Sequence, residues 1–356
     1  MFKKTRSALF AFLLLPLALG ACQINQSPTK TENSQSQPSQ PQPDLLSQVQ
    51  KRGRLNCGIN GSVKGLSYVN DEGKYSGFDV DICRAVAAAI LGNPNSVSYV
   101  QLNANERFQA LVSGEVDLLS RNTTYTVARM TLVDFLTPVI YDGQGFMVPS
   151  SLGISSLSAL DNKRICVSTG TTNELNLYDL NTRFNIAVNP IQFLDQEQAF
   201  KGYLNGKCDA LTADRSQLSS RKLTMPNGDR HVILSEIISK EPLTPAVKSG
   251  EARFRRAVSA AIFALIQAEE FGIAQENLEE FKENSNPKIR RFLGFEGSLG
   301  QKLGLADNFV ENIISATGNY GEIYERNLGM DSELKLSRGH NELWSNGGLL
   351  YSPPFR

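Results

Sequence analysis

Two arginines, Arg121 and Arg129, stand in a run of hydroxyls and amides: Ser120-Arg121-Asn122-Thr123-Thr124 and Thr126-Val127-Ala128-Arg129. A guanidinium presents a planar fork of donors that matches a carboxylate with two parallel charge-assisted bonds. The run follows the apolar segment Val116 to Leu119, itself preceded by a helix end stopped at Gly114. Donors are thereby set at the C-terminal edge of a strand, where open α/β sheets bind their ligands. A second cluster, Ser168-Thr169-Gly170-Thr171-Thr172, reads as strand, glycine turn and helix start. The first N–H groups of a helix are unpaired and sit at the positive end of its dipole, which favours an anion there. The strand Cys208 to Asp214 ends in a carboxylate, suited to a cation. Each feature also has an ordinary reading: surface arginines, a capped helix start, and an N-cap for the helix after Asp214.

The elements around these residues repeat a pattern. Asp44 caps a short helix (Leu45 to Lys51), and Arg54 to Ile59 is a strand followed by the turn-rich NGSVKGLSY. Asp71-Glu72-Gly73 reads as a turn, and an alanine-rich helix begins at Asp79 or Asp81 and stops at Gly92. Val97 to Leu102 alternates as a strand, and Asn105 to Leu111 is a short helix. This β, α, β, α, β order points to a parallel sheet flanked by helices. The pattern restarts at Lys163, with strands at Ile186 to Phe193 and Cys208 to Asp214 and a helix at Asp195 to Leu204. Val232 to Ser239 is strand-like, and Arg253 to Glu270 is a long helix with Phe254, Val258, Ile262, Leu265 and Ile266 on one stripe. Further helices follow at Glu276 to Asn284, Pro287 to Leu293 and within GLADNFVENIISATGNYGEIYERNLG, and the tail ending SPPFR is expected to lie irregularly on the surface.

The first residues read as an address. Lys3, Lys4 and Arg6 precede the apolar run Ala8 to Leu19, too short to span a membrane and fit for an export signal. Leu19-Gly20-Ala21-Cys22 looks like a bacterial lipobox, which implies a mature chain beginning at Cys22 and held on a membrane surface by acyl chains. Gln23 to Pro43 is almost wholly Gln, Ser, Pro, Asn, Thr and Lys, and reads as a disordered tether.

Lysine plus arginine and aspartate plus glutamate both number 36, so zero net charge gives no support for nucleic-acid binding. The remaining cysteines, Cys57, Cys83, Cys166 and Cys208, suggest disulfides in an exported chain. Of the three possible pairings we favour Cys57–Cys83 and Cys166–Cys208, each within one half of the body. There is no CxxC, and His231 and His340 lie far from any cysteine, so a metal site is not expected.

Taken in order, SGFDVDICRAVAAAI, SGEVDLLSRNTTYTVAR, YDGQGFMV, STGTTNELNL, GKCDALTAD, EIISKEPL and GNYGEIYERNLG resemble the periplasmic substrate-binding proteins of general L-amino-acid ABC transporters. The resemblance runs from about residue 45 to 356. It implies a two-lobed type II periplasmic binding-protein fold of the α/β class, each lobe a helix-flanked mixed sheet, joined by two crossing hinge segments near Met147 to Ser150 and Ser239 to Pro242. The lobes are then expected at 44–148 and 149–239, with 240–356 returning to the first and adding a helical extension, after a signal at 1–21 and a tether at 22–43. Arg129 matches the arginine that holds the ligand's α-carboxylate, with Asn122 and Thr124 as neighbouring contacts, and Thr171 and Thr172 serve the same carboxylate from the second lobe. Asp214 matches the aspartate that receives the α-ammonium.

One departure stands at Asn60-Gly61-Ser62-Val63-Lys64, where binders of cationic amino acids often carry an acid. Asn60, counted among the expected ligand contacts, suits a broad or neutral-to-acidic preference instead. The expected partners are an L-amino acid, inner-membrane ABC permease subunits whose paired ATPase powers transport, and the membrane through lipid on Cys22. A monomer without cofactor, lipid-anchored in the periplasm or cell envelope, is expected. No GxxxxGK[ST] is present for ATP chemistry. Two rivals share the fold: an exported enzyme, which needs a general acid or base in the cleft, and a ligand-sensing subunit that does not transport.

Overall fold

Two five-stranded mixed sheets of the same topology carry the chain in the computed structural model, which describes residues 44–356. The expected signal, the lipidated Cys22 and the tether lie outside the described residues. In the first sheet Leu55–Ile59 is flanked by parallel strands Val97–Gln101 and Leu118–Leu119, and the order continues with antiparallel Ala246–Val247 and Asp134–Phe135. In the second, Arg164–Ser168 lies between parallel Asn189–Phe193 and Ala210–Asp214, followed by antiparallel Gln144–Pro149 and His231–Ile233. The C-terminal ends of the parallel strands lead into Asn60, Leu102 and Ser120 in one lobe and into Thr169 and Asp214 in the other.

Antiparallel strands Ile140–Asp142 and Glu241–Leu243 form the connection between the sheets. The second crossing is where the sequence places it. The first is earlier than expected, because Met147 to Pro149 already pairs within the second sheet. The 44–148 boundary for the first lobe therefore runs into the second sheet. The continuous apolar run GFMV hides this change of sheet, since a strand buried on both faces has no alternation to mark its sides.

The first lobe is the larger. Helix Ala252–Glu270 buries its predicted stripe against helices Phe78–Leu91 and Phe309–Thr317. The alanine-rich helix starts at Phe78 behind Gly77, so Asp79 and Asp81 both fall in its first turn. The stretch read as one helix near residue 310 is two, Phe309–Thr317 and Tyr320–Asn327, divided at Gly318 and restarted by a capping box of Asn319 and Glu322. The tail from Tyr351 is irregular, as expected, yet anchored: Phe355 meets Phe292 edge-on at 4.9 Å. This C-terminal part also braces the first crossing strand. Asn341 accepts the Tyr141 N–H at 2.6 Å and donates to the Tyr141 carbonyl at 3.2 Å, while the Tyr320 hydroxyl donates to Val139 O at 2.7 Å.

Cys57 is bonded to Cys83 and Cys166 to Cys208, the pairing favoured from sequence. Each closes a loop within its own lobe, with sequence separations of 26 and 42. Loops of that size stabilise a fold by about 3–4 kcal/mol each through the unfolded chain's entropy. Reduction is therefore expected to lower the melting temperature by several degrees per bond. A thermal scan with and without reductant tests this, and an unchanged midpoint after complete reduction would refute it.

Candidate functional site

The first wall of the site is the polar run that leaves the Leu118–Leu119 strand. Its backbone lies along the second crossing segment: Tyr125 N–H donates to Pro242 O at 2.9 Å and Thr244 N–H to Thr123 O at 2.9 Å. Asn122 sits at φ 38°, a left-handed conformation that asparagine tolerates better than most residues. Its N–H donates to Asp79, whose carboxyl is pushed up to about 7 mainly by burial. Arg121 is buried with Nε donating to Leu102 O at 2.7 Å, and burial pushes its guanidinium down to about 10. Half-buried Arg129 donates through Nη1 to Thr124 O at 2.8 Å. Arg107, the first residue of helix Arg107–Ser113, completes a trio of guanidiniums, its pKa held well below the ordinary value by burial and by Arg121 and Arg129.

The second wall is built from two helix starts. Thr171 caps helix Thr172–Phe184, its hydroxyl accepting from Glu174 N at 3.2 Å and donating to Ser168 O at 2.7 Å. That hydroxyl is occupied; the N–H groups that open the helix have no intrahelical partner. Asp214 occupies the N-cap position of helix Arg215–Thr224 but its side chain does not cap. Asp142, from the first crossing strand, accepts the Ser216 N–H at 3.1 Å instead. The Asp214 carboxyl accepts from Asn173 Nδ2 at 3.0 Å and Gln217 Nε2 at 2.8 Å and is only 3% exposed. Burial pushes it up to about 8, with the nearby Asp142 and Glu241 charges acting in the same direction.

The walls touch, so the lobes are closed on each other. The Gly170 carbonyl accepts from Arg107 at 3.3 Å and Arg129 at 3.4 Å, and Asn105 Nδ2 donates to Thr169 Oγ1 at 3.1 Å and Leu194 O at 3.2 Å. Gly170 has φ +70°, a conformation that favours glycine, and a Cβ there would lie 2.2 Å from Asn105 Oδ1 and displace that amide from its contacts across the lobes. Between the closed walls remains a narrow cleft of about 20 Å³ lined by Asn122, Thr124, Arg129, Thr171, Thr172 and Asp214. A larger groove of about 420 Å³, between helix Ala252–Glu270 and the tail, is open and lies away from these groups. The small cleft is the candidate because two buried atoms on its lining residues, Arg107 Nε and Asn122 Oδ1, have no partner. One is a donor and one an acceptor, and buried polar groups are rarely left unsatisfied.

Asn60 is the correction. It lies outside the cleft lining, in a neighbouring groove with Glu106, Gln196 and Arg121. Its N–H donates to Ser67 Oγ at 3.1 Å and its Oδ1 accepts the Ser62 hydroxyl at 2.8 Å, so the residue is used in its own turn. The expected set omitted Arg107, Arg121, Asn173 and Gln217, all of which line the cleft. Arg107 was findable by the reasoning applied to Arg121, since it follows the end of the Val97–Gln101 strand. Among the described residues no cluster of His, Cys, Asp and Glu could hold a metal, and no helix is long and apolar enough to cross a membrane.

Residues 55–277 match the family model described as bacterial extracellular solute-binding proteins, family 3. The chain is 49% identical over 315 residues, 87% of its length and 92% of the relative's, to the general L-amino acid-binding periplasmic protein AapJ of Rhizobium johnstonii. It is 48% identical over 314 residues, 87% of its length and 93% of the relative's, to the glutamate/glutamine/aspartate/asparagine-binding protein BztA of Rhodobacter capsulatus. A solved ABC transporter periplasmic binding protein from Brucella ovis, with glutathione bound, superimposes with a TM-score of 0.86 at 49% identity, covering 88% of this chain and all of the other. With two lobes of one topology closing on a polar cleft, and with relatives of this similarity along nearly their whole length, the chain belongs to the family 3 bacterial extracellular solute-binding proteins.

Proposed function

We propose that this protein is the extracytoplasmic amino-acid-binding component of an ABC importer, capturing L-amino acids with acidic or amide side chains by lobe closure and passing them to a membrane permease. The observation that carries this is the charge arrangement of the cleft. Three guanidiniums, Arg107, Arg121 and Arg129, meet one lining carboxylate, Asp214, across a space with an unpaired donor and an unpaired acceptor. An α-amino acid with a second carboxyl or amide group complements that pattern. Its α-carboxylate faces Arg129 and the N–H groups that begin helix Thr172–Phe184. The α-ammonium faces Asp214, and the side chain is directed to Arg107 and Arg121. Asn122 offers its free oxygen to whichever ligand N–H lies nearest.

Closure over an empty cleft would leave Asp214 buried without a cation, or require it to take up a proton. The ligand's ammonium removes that penalty, which is how binding favours the closed arrangement. Delivery to a permease with its paired ATPase, a periplasmic or cell-envelope location, attachment through lipid on Cys22 and a monomeric state complete the proposal. AapJ and BztA, amino-acid-binding proteins by name, support it over an enzyme reading.

The test is calorimetric titration of protein stripped by partial unfolding, with the twenty L-amino acids and glutathione, beside Arg107→Met. Micromolar or tighter binding of glutamate, aspartate and their amides is expected. The variant should weaken the two acids by roughly tenfold or more beyond its effect on small neutral amino acids, since a charge-assisted bond contributes about 1.5–3 kcal/mol. Binding of no amino acid by the stripped protein would overturn the proposal.

A further inference from the structure

The Glu241 side chain lies behind the cleft, on the second crossing strand, and is only 1% exposed. It lines no wall of the candidate cleft. Its Oε2 accepts the hydroxyl of Thr124 at 2.6 Å and that of Thr172 at 2.7 Å. Its Oε1 accepts Asn176 Nδ2 at 3.1 Å and the Ser239 hydroxyl. Four donors converge on two oxygens, an arrangement that only an acceptor-only carboxylate satisfies. Thr124 belongs to the first-lobe wall, and Thr172 and Asn176 to the second-lobe helix. One carboxylate oxygen is thus shared between threonines of opposite lobes.

The consequence concerns protons. A hydroxyl has one proton to donate, and both threonines give theirs to Glu241. Their oxygens lie 3.3 Å apart and both residues line the cleft, so with the protons on Glu241 each hydroxyl has lone pairs left to offer a ligand. Two acceptors beside the Asp214 carboxylate suit a group with several N–H donors and repel a carboxylate oxygen.

We propose that Glu241 is a positioning residue for recognition of the α-ammonium. By taking the protons of Thr124 and Thr172, it fixes both hydroxyls as acceptors toward the ligand and makes that arrangement complete only when the lobes meet. This rests on the amino-acid-binding reading above. It also alters the part that the sequence resemblance implied for the Thr172 hydroxyl, which turns from the carboxylate to the ammonium.

The experiment titrates L-glutamate and glutarate, which keeps both carboxylates but lacks the ammonium, into stripped wild-type protein and into Glu241→Gln, Thr172→Val, Thr172→Ser and the Glu241→Gln/Thr172→Val pair. Whichever way the amide of Glu241→Gln turns, its NH2 group meets either Asn176 Nδ2 or the two threonine hydroxyls, so the four-donor arrangement is broken. Glutamate affinity should fall roughly 10- to 100-fold, as for loss of hydrogen bonds to a charged group. Glutarate should lose less, narrowing the gap between the two ligands. Thr172→Ser should keep wild-type affinity and Thr172→Val should lose it. The paired variant should lose much less than the product of the single losses, because Glu241 acts through the hydroxyls. Equal weakening of both ligands, losses that multiply, or glutamate affinity within twofold of wild type in Thr172→Val would overturn the proposal. Should Glu241→Gln fail to fold in a circular dichroism melt, the two Thr172 variants decide it: equal affinity in both overturns it. Absence of glutamate binding by wild-type protein refutes the underlying function instead, and shows before any variant is made.

Discussion

Replacing Asp214 by asparagine is expected to lower affinity for L-amino acids by two to three orders of magnitude while leaving the melting temperature of the ligand-free protein unchanged or higher. The carboxylate is buried and held by the amides of Asn173 and Gln217, with no cation among its bonded partners. In the closed protein its pKa is pushed up to about 8, first by burial and then by Asp142 and Glu241. A buried carboxylate with no bonded cation opposes closure until the ligand's ammonium reaches it. Removing one partner of a buried ion pair typically costs about 3–5 kcal/mol, which sets the size of the expected loss. The neutral asparagine has no such burial penalty, so the ligand-free fold gains or stays even. Calorimetry and a thermal scan on the same preparation measure both quantities. Affinity within tenfold of wild type would place the ammonium elsewhere.

The second large effect is expected at Arg129. Alanine there should reduce affinity by at least a hundredfold for every L-amino acid, whatever its side chain, because the α-carboxylate is common to all. Arg129 donates through Nη1 to the Thr124 carbonyl and through Nη2 to the Gly170 carbonyl, which fixes the plane of the guanidinium and leaves its other donors for the cleft. The ring of Phe108 supports it at 5.5 Å from the guanidinium carbon, and Arg107 is 5.0 Å from the same ring. Lysine should not rescue the loss, since a point charge on a flexible stem cannot reproduce two fixed parallel bonds. The comparison with Arg121→Ala is decisive. If that variant abolishes binding of all amino acids and Arg129→Ala does not, the α-carboxylate lies at Arg121 and the orientation of the ligand is reversed.

Much of this protein was legible in its sequence because the signals are local. The restart of the βαβ pattern at Lys163, the stripe on helix Ala252–Glu270 and the caps at Asp44 and Thr171 depend on residues a few positions apart. The polar ends of strands at Ser120 to Thr124, Thr169 to Thr172 and Asp214 are likewise local, and of the seven contacts implied by the resemblance, Asn122, Thr124, Arg129, Thr171, Thr172 and Asp214 line one cleft. The two disulfides followed from grouping the cysteines by lobe, and the structure joins the same pairs.

Tertiary structure decided what depends on convergence. Asn60 follows a strand end like the others, but its side chain closes its own turn with Ser62 and leaves the cleft to residues from neighbouring strands. Arg107 looked like one charge on a short helix until the parallel pairing of Val97–Gln101 with Leu55–Ile59 carried it beside Arg121. The first crossing segment moved to Ile140–Asp142 because pairing partners, rather than apolar content, determine which sheet a buried strand joins. Glu241 reads in the sequence as one acid before a proline. Its place between threonines of two lobes exists only because a strand more than a hundred residues downstream returns beside the polar run that begins at Ser120. Periodicity and capping act over a few bonds and can be read from the chain alone, whereas the direction in which a buried hydroxyl gives its proton is set by a partner that only folding brings near.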